Sequence, residues 1–230
     1  MNFNRYLIAL AFASSAALAQ SDAQPSNFLG AGVRNRPLYD GSDRKSTDLI
    51  PLVRYVRGPL FVRTLPGILE GGARINVAGG LAAGLQLAHE SGPRDSDPGA
   101  SIGAHLEWNA SAGPMPLNAI LRFRNHLDSD RGREFDARLT AGVYGNHGIR
   151  AGIFAGATWA DEKHMVTYYD VSRSGLLYTS FGALASYQLS ARWSLLGTAE
   201  SRRLADKPTQ SAFVQDGMNI YTNLGVAYRF

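Results

Sequence analysis

The chain has 230 residues, 18% of them charged, with 25 glycines, no cysteine and a mean hydropathy of −0.15. That length is enough for one large domain or two small ones, and the lack of cysteine excludes a disulfide framework, a thiol nucleophile and any cysteine-ligated metal. The net charge of +4, from 23 Lys and Arg against 19 Asp and Glu, is spread thinly along the chain, which argues against nucleic acid as a partner.

The opening "MNFNRYLIALAFASSAALAQ" has a polar start with Arg5, an apolar run from Tyr6 to Phe12, and small residues ending in Ala17-Leu18-Ala19 before Gln20. This is the pattern of a secretory signal peptide cleaved between Ala19 and Gln20. Cleavage removes Arg5, leaving 22 cations against 19 acids. Residues 1–19 are therefore read as the signal peptide and 20–230 as one β-barrel domain. No later segment approaches the ~20 continuous apolar residues of a membrane helix, so a helical membrane protein is excluded.

After Gln20 no helical stripe appears, whereas alternation at period two recurs throughout, as expected for strands with one apolar and one polar face. Ile102, Ala104, Leu106 and Trp108 alternate with Gly103, His105 and Glu107. Ile149, Ile153 and Trp159 alternate with Arg150, Phe154 and Thr158; Leu177, Phe181, Ala185 and Tyr187 alternate with Tyr178, Gly182 and Leu184. In chain order the pattern predicts twelve strands, near 27–34, 49–57, 59–65, 70–77, 80–89, 101–110, 116–125, 135–145, 149–160, 176–189, 192–203 and 218–230. Pro51, Pro59 and Pro66 blur the faces of the second and third.

Joints after even-numbered strands are short, whereas those after odd-numbered strands are mostly long and polar, such as "NRPLYDGSDRKSTD" and "DEKHMVTYYDVSRS". Short turns on one rim, long loops on the other and an even strand count predict an all-β transmembrane antiparallel barrel of the Gram-negative outer membrane, with periplasmic turns and extracellular loops. Closure leaves no unpaired edge in lipid, where each unpaired backbone group costs several kcal/mol. Trp108, Trp159, Tyr187, Trp193, Tyr228 and Phe230 lie near strand ends on the apolar face, where aromatic belts form. On the opposite face stand Arg74, His105, Glu107, Arg122, Arg124, Arg138, Arg150, Glu200 and Arg202. Cations facing lipid at mid-depth cost up to ~2–4 kcal/mol each, so these residues are assigned to the lumen.

Three groups could carry chemistry. "RNHLDSD" holds Asn125, His126 and Ser129, the residue types of a lipid hydrolase, but all three fall at one strand end and an exposed loop, and catalytic pairs are normally brought together from separate strands. No catalytic residue is assigned and the chain is not read as an enzyme. "DSDPG", "DSDRG" and "DEKH" lack calcium-loop spacing, so neither a metal site nor a cofactor is assigned. The arginines fit either an anion-attracting pore or a filled lumen in which Arg74, Arg122, Arg138 and Arg150 pair with Glu107, Asp136 and Glu200; barrel size alone does not decide.

"FLGAGVRNRPLYDGSD", with Pro37, Tyr39 and Gly41, resembles the opening of the MltA-interacting protein (MipA/OmpV) family, and "IPLVRYVRGPLFVR" is similar to its next strand pair, through Pro51, Tyr55, Gly58 and Phe61. "YYDVSRSGLLY" and the closing Tyr-x-Phe also resemble the family, although Asp170 stands where members usually have Gly, and "TQSAF" where they have Asp-Ser-Pro. The resemblance implies a barrel without catalytic residues that scaffolds a lytic transglycosylase and a penicillin-binding synthase, with surface adhesins among the relatives. Tyr228 and Phe230 resemble the terminal signal read by the barrel-assembly machinery, and the expected surroundings are outer-membrane lipid and lipopolysaccharide. A small or weakly selective channel or a surface adhesin is the alternative function, and a lipid hydrolase a more distant one.

Overall fold

A computed structural model describes residues 10–12, 15–18, 27–65, 68–90 and 99–230. Leu10–Phe12 and Ser15–Leu18 pair antiparallel; most of the stretch read as the signal peptide, including the Ala19–Gln20 cleavage site, lies outside the described residues. From residue 27 onward twelve strands form one closed antiparallel barrel, as the sequence predicts. They are β1 (Phe28–Pro37), β2 (Lys45–Arg57), β3 (Leu60–Leu65), β4 (Ile68–Ala78), β5 (Leu81–Glu90) and β6 (Gly99–Ala112). The remaining six are β7 (Met115–His126), β8 (Arg133–Asn146), β9 (Ile149–Ala160), β10 (Gly175–Gln188), β11 (Trp193–Leu204) and β12 (Met218–Arg229). Each pairs with its sequence neighbours, and β12 closes on β1 through pairs such as Tyr228↔Leu29 and Val226↔Ala31.

The alternation acquires a physical meaning in the closed sheet. Outward positions such as Leu85, Leu87, Phe181, Ile220 and Leu224 are exposed, whereas the inward alternates Gln86, Glu107, Arg124 and Glu200 are buried. The molecule is thus apolar outside and polar within, the reverse of a soluble globule, and the outside is what a bilayer solvates. Aromatics gather near both rims: Phe135 packs against Trp159 near one, Trp193 packs edge-on against Tyr228 near the other, and Phe230 is exposed there. Among the described residues no helix is long and apolar enough to cross a membrane; the crossing elements are strands.

Two details depart from the sequence reading. Leu177, assigned to the outer face, is buried, because β9 and β10 slip register between Thr158↔Tyr178 and Trp159↔Leu176 and turn Leu177 inward. The loop after β9 contains a helix, α1 (Glu162–Tyr169), where no helical stripe was expected. Two turns are too short to display a stripe, but Asp161 caps α1 by accepting a hydrogen bond from the His164 backbone N–H at 2.9 Å. Met165 and Tyr169 of α1 cluster with Ala160, Leu177 and Leu204 to form an apolar lid over that side of the long-loop rim.

Candidate functional site

The inward face of the barrel carries most of its chemistry. On β3 to β8 acids and arginines interlock: Arg63 bonds Glu70 at 2.5 Å and reaches Glu107 at 3.4 Å, and Arg74 reaches the same Glu107 oxygen at 3.4 Å. Arg122 lies 3.7 Å from Glu70 and 3.9 Å from Asp136. Arg124 is shared by three carboxylates, contacting Glu90, Glu134 at 2.9 Å and Asp136 at 3.0 Å. Glu200 continues the lattice by accepting from both Arg138 and Arg202 at 3.2 Å, and Arg202 reaches Asp40 at 3.1 Å between the rings of Tyr178 and Tyr221. Register explains the order, since Arg122 and Asp136 are direct cross-strand partners. Opposite charges on adjacent inward positions neutralise one another where water is scarce.

Toward the short-turn rim the lumen is filled differently. Phe28, Leu52, Phe154, Leu184, Leu196 and Ala227, from β1, β2 and β9 to β12, form a buried apolar cluster on the inward face. Gly182 makes room for it, since a Cβ there would lie 2.3 Å from Cζ of Phe154 and 2.4 Å from the Ala199 carbonyl oxygen. The two fillings meet where the Arg138 guanidinium lies 4.4 Å from the centroid of Phe154. A cavity of about 70 Å³ lies among Arg54, Arg63, Arg122, Arg124, Arg138, Arg202 and Asp136, room for a few waters.

Of the expected lumenal pairs, Arg74–Glu107, Arg122–Asp136 and Arg138–Glu200 form, but Arg150 has no acid within ion-pair distance among the described residues; its charged neighbour is Arg229. Arg150 is the second residue of β9 and Arg229 ends β12, both beside the short turns and away from the acids of the lattice.

Asn125, His126 and Ser129 do not converge. His126 is buried in the lumen rather than displayed on a loop, its ring nitrogens 3.6 Å from Glu90 and 3.4 Å from Glu134; Ser129 instead donates to Asp130, and Asn125 accepts from Arg133. His164 of α1 arrives at the same place, 3.8 Å from Glu134, and its burial pushes its pKa below the ordinary imidazole value. The sequence reading missed Arg63, Glu70, Glu90, Glu134, Asp40 and His164. Arg63 and Glu70 lie on β3 and β4, either side of the sequence that Pro66 blurs, and His164 belongs to a helix too short to display periodicity.

The segment of Pro37, Tyr39 and Gly41 joins the first long loop to the last. Tyr39 donates from its hydroxyl to the Phe213 carbonyl at 3.1 Å, and the Gly41 N–H donates to Oδ1 of Asn219 at 2.5 Å. Gly41 has φ +105°, a conformation L side chains rarely adopt, and a Cβ there would strike Val214 at 2.9 Å. Asp40 is thereby turned inward to Arg202 and Tyr221.

A closed twelve-stranded antiparallel barrel, apolar outside and charged within, is a barrel of the outer-membrane type. The family described as "MltA-interacting protein MipA" matches residues 29–230, and the chain belongs to that family. Among solved structures the fold is similar to an outer membrane channel (COG4313) from Pseudomonas putida F1, at 15% identity and TM-score 0.59 over 90% of this chain and 97% of that one. It is also similar to the NanC porin, at 11% identity and TM-score 0.55 over 88% and 100%. No curated protein matches the sequence.

Proposed function

We propose that this protein is an integral barrel of the cell outer membrane with a structural or scaffolding role, holding murein-remodelling enzymes, a lytic transglycosylase and a penicillin-binding synthase, at its short-turn rim. The observation that carries the reading is the bracing of the interior: ion pairs tie one side of the lumen and the Phe154 cluster packs the other, as suits a rigid frame that presents its rims for contact. The family description supports a murein enzyme as partner. The short-turn rim, facing the periplasm on this reading, offers a concavity lined by Arg192, Tyr228, Arg229 and Phe230. No catalytic role is assigned to the lumen. Pull-down from solubilised envelopes with the purified barrel tests the proposal: murein hydrolase and synthase are expected in the eluate, with Arg192→Glu reducing recovery. An eluate free of both refutes the scaffold. Deleting Phe230 is expected to lower the yield of heat-modifiable barrel in cells, as a terminal assembly signal requires; unchanged yield refutes that role.

A second reading, a narrow path for small anions, is favoured by the six arginines and single acid around the lumenal cavity and by Arg150 beside Arg229 at its short-turn end. Planar-bilayer recordings separate the two: anion-selective steps altered in Arg150→Glu support a path, and a silent membrane containing verified folded barrel excludes it.

A further inference from the structure

The long-loop end of the lumen holds a cluster that neither reading above uses. His126 ends β7, Glu134 lies at the start of β8, and His164 is carried in by α1; one ligand-type atom from each lies within 4.8 Å of the others, and all three side chains are buried. Oε2 of Glu134 is 3.4 Å from Nε2 of His126, and Oε1 is 3.8 Å from Nε2 of His164. Ligands at ~2.0–2.2 Å around a tetrahedral ion sit on the order of 3.4 Å apart, so the three donors are already close to the span that such an ion needs.

Two features distinguish this cluster from an ordinary lumenal ion-pair group. First, Nδ1 of His164 lies 3.2 Å from the Arg131 carbonyl oxygen. A carbonyl only accepts, so Nδ1 is the donor there, and in the neutral ring Nε2 on the Glu134 side is left as the ligating atom; metal-ligating histidines are oriented by the same arrangement. Second, the buried ring of His126 makes no hydrogen bond among the described residues, and each of its nitrogens instead faces a carboxylate at ion-pair distance. Imidazole nitrogens set between carboxylates favour a cation, a proton or a metal ion, at this place. Glu90, whose Oε1 lies 3.6 Å from Nδ1 of His126 while its Oε2 accepts from Arg124, stands where it would orient that ring or complete the ligand set. Arg124 balances part of the negative charge of Glu90 and Glu134.

The approach of α1 is itself built for this geometry. Gly132, at φ +68°, lies under the helix start, where a Cβ would sit 2.2 Å from Oδ1 of Asp161 and 2.4 Å from the backbone nitrogen of His164. The Thr167 hydroxyl donates to the Asp130 carbonyl, tying α1 to the loop between β7 and β8.

We propose that His126, Glu134 and His164 form a binding site for one first-row divalent transition-metal ion, with zinc the best fit. Two imidazoles and one carboxylate match zinc, and they are too poor in oxygen for calcium or magnesium. The ion ties α1 to the ends of β7 and β8 and locks this side of the long-loop rim.

Zinc titration into the chelator-stripped, detergent-solubilised full barrel tests this by calorimetry and by elemental analysis of the dialysed protein. One zinc per barrel is expected, with affinity reduced by more than about tenfold in His164→Ala and in Glu134→Gln, and unchanged in His147→Ala, whose ring sits at an exposed turn. Zinc should also slow proteolysis within 161–174 in the wild type and not in His164→Ala. His164 is on a loop helix, so this variant tests the site even if lumenal substitutions prevent folding. The proposal is overturned by less than one-tenth of an equivalent bound, or by stoichiometric zinc that survives His164→Ala with unchanged affinity.

Discussion

The two sides of the lumen solve one problem by opposite means. Across β3 to β8 the interior is filled by charge, with Arg122 and Arg124 each shared among carboxylates; toward the short turns of β1, β2 and β9 to β12 it is filled by Phe154, Leu184 and their neighbours. The charged side tolerates a little water, as the residual cavity among its arginines shows, whereas the apolar side closes tightly enough to require glycine at 182. The difference implies distinct failure modes. Loss of one ion strands its partners in a medium that solvates them poorly, but loss of an apolar group leaves only a void.

Substitutions can break this contrast at either end. The largest effect is expected for Arg124→Ala, which leaves Glu90, Glu134 and Asp136 facing one another without their shared cation; removing one member of a buried pair costs about 3–5 kcal/mol. The urea midpoint in lipid vesicles, followed by tryptophan fluorescence, should fall accordingly, and an unchanged midpoint would show that lumenal water solvates these carboxylates. Phe154→Ala on the apolar side is expected to cost about 3 kcal/mol, at the low end for a buried aromatic because the Arg138 side chain stacked on the ring can move into the space. Asp161→Ala, which removes the cap of α1, should cost about 1 kcal/mol and show mainly as faster cleavage within 161–174. Arg74→Gln should change the midpoint by less than about 1 kcal/mol, because Arg74 is only partly buried and Glu107 keeps Arg63. A larger loss there would place Arg74 among the essential members of the lattice.

The long-loop rim adds a contrast with the strands. Strand residues were placed by alternation alone, and Glu107, Arg122, Arg138 and Glu200 face inward as their spacing requires. Loop residues were not, because a loop has no period. Asp40 and His164 enter the interior through left-handed backbone at Gly41 and the short capped helix α1. His126 shows how a strand-end residue can be misplaced: the predicted strand stops at 125, but β7 runs on to His126 in phase with Arg122 and Arg124, which places its ring inward between Glu90 and Glu134.

By itself the sequence determined the class of protein. Period-two alternation over twelve segments, with short joints alternating with mostly longer ones, leaves a closed antiparallel barrel as the arrangement that satisfies every backbone group in lipid, and the Pro37, Tyr39 and Gly41 segment pointed to the family. Tertiary structure decided which inward residues meet. Alternation specifies a face but not a neighbour, and neighbours around a barrel depend on register, bulges and loop docking. The Leu177 bulge, the sharing of Arg124 among three acids, the placement of Arg150 beside Arg229 and the meeting of His126, Glu134 and His164 all arise there.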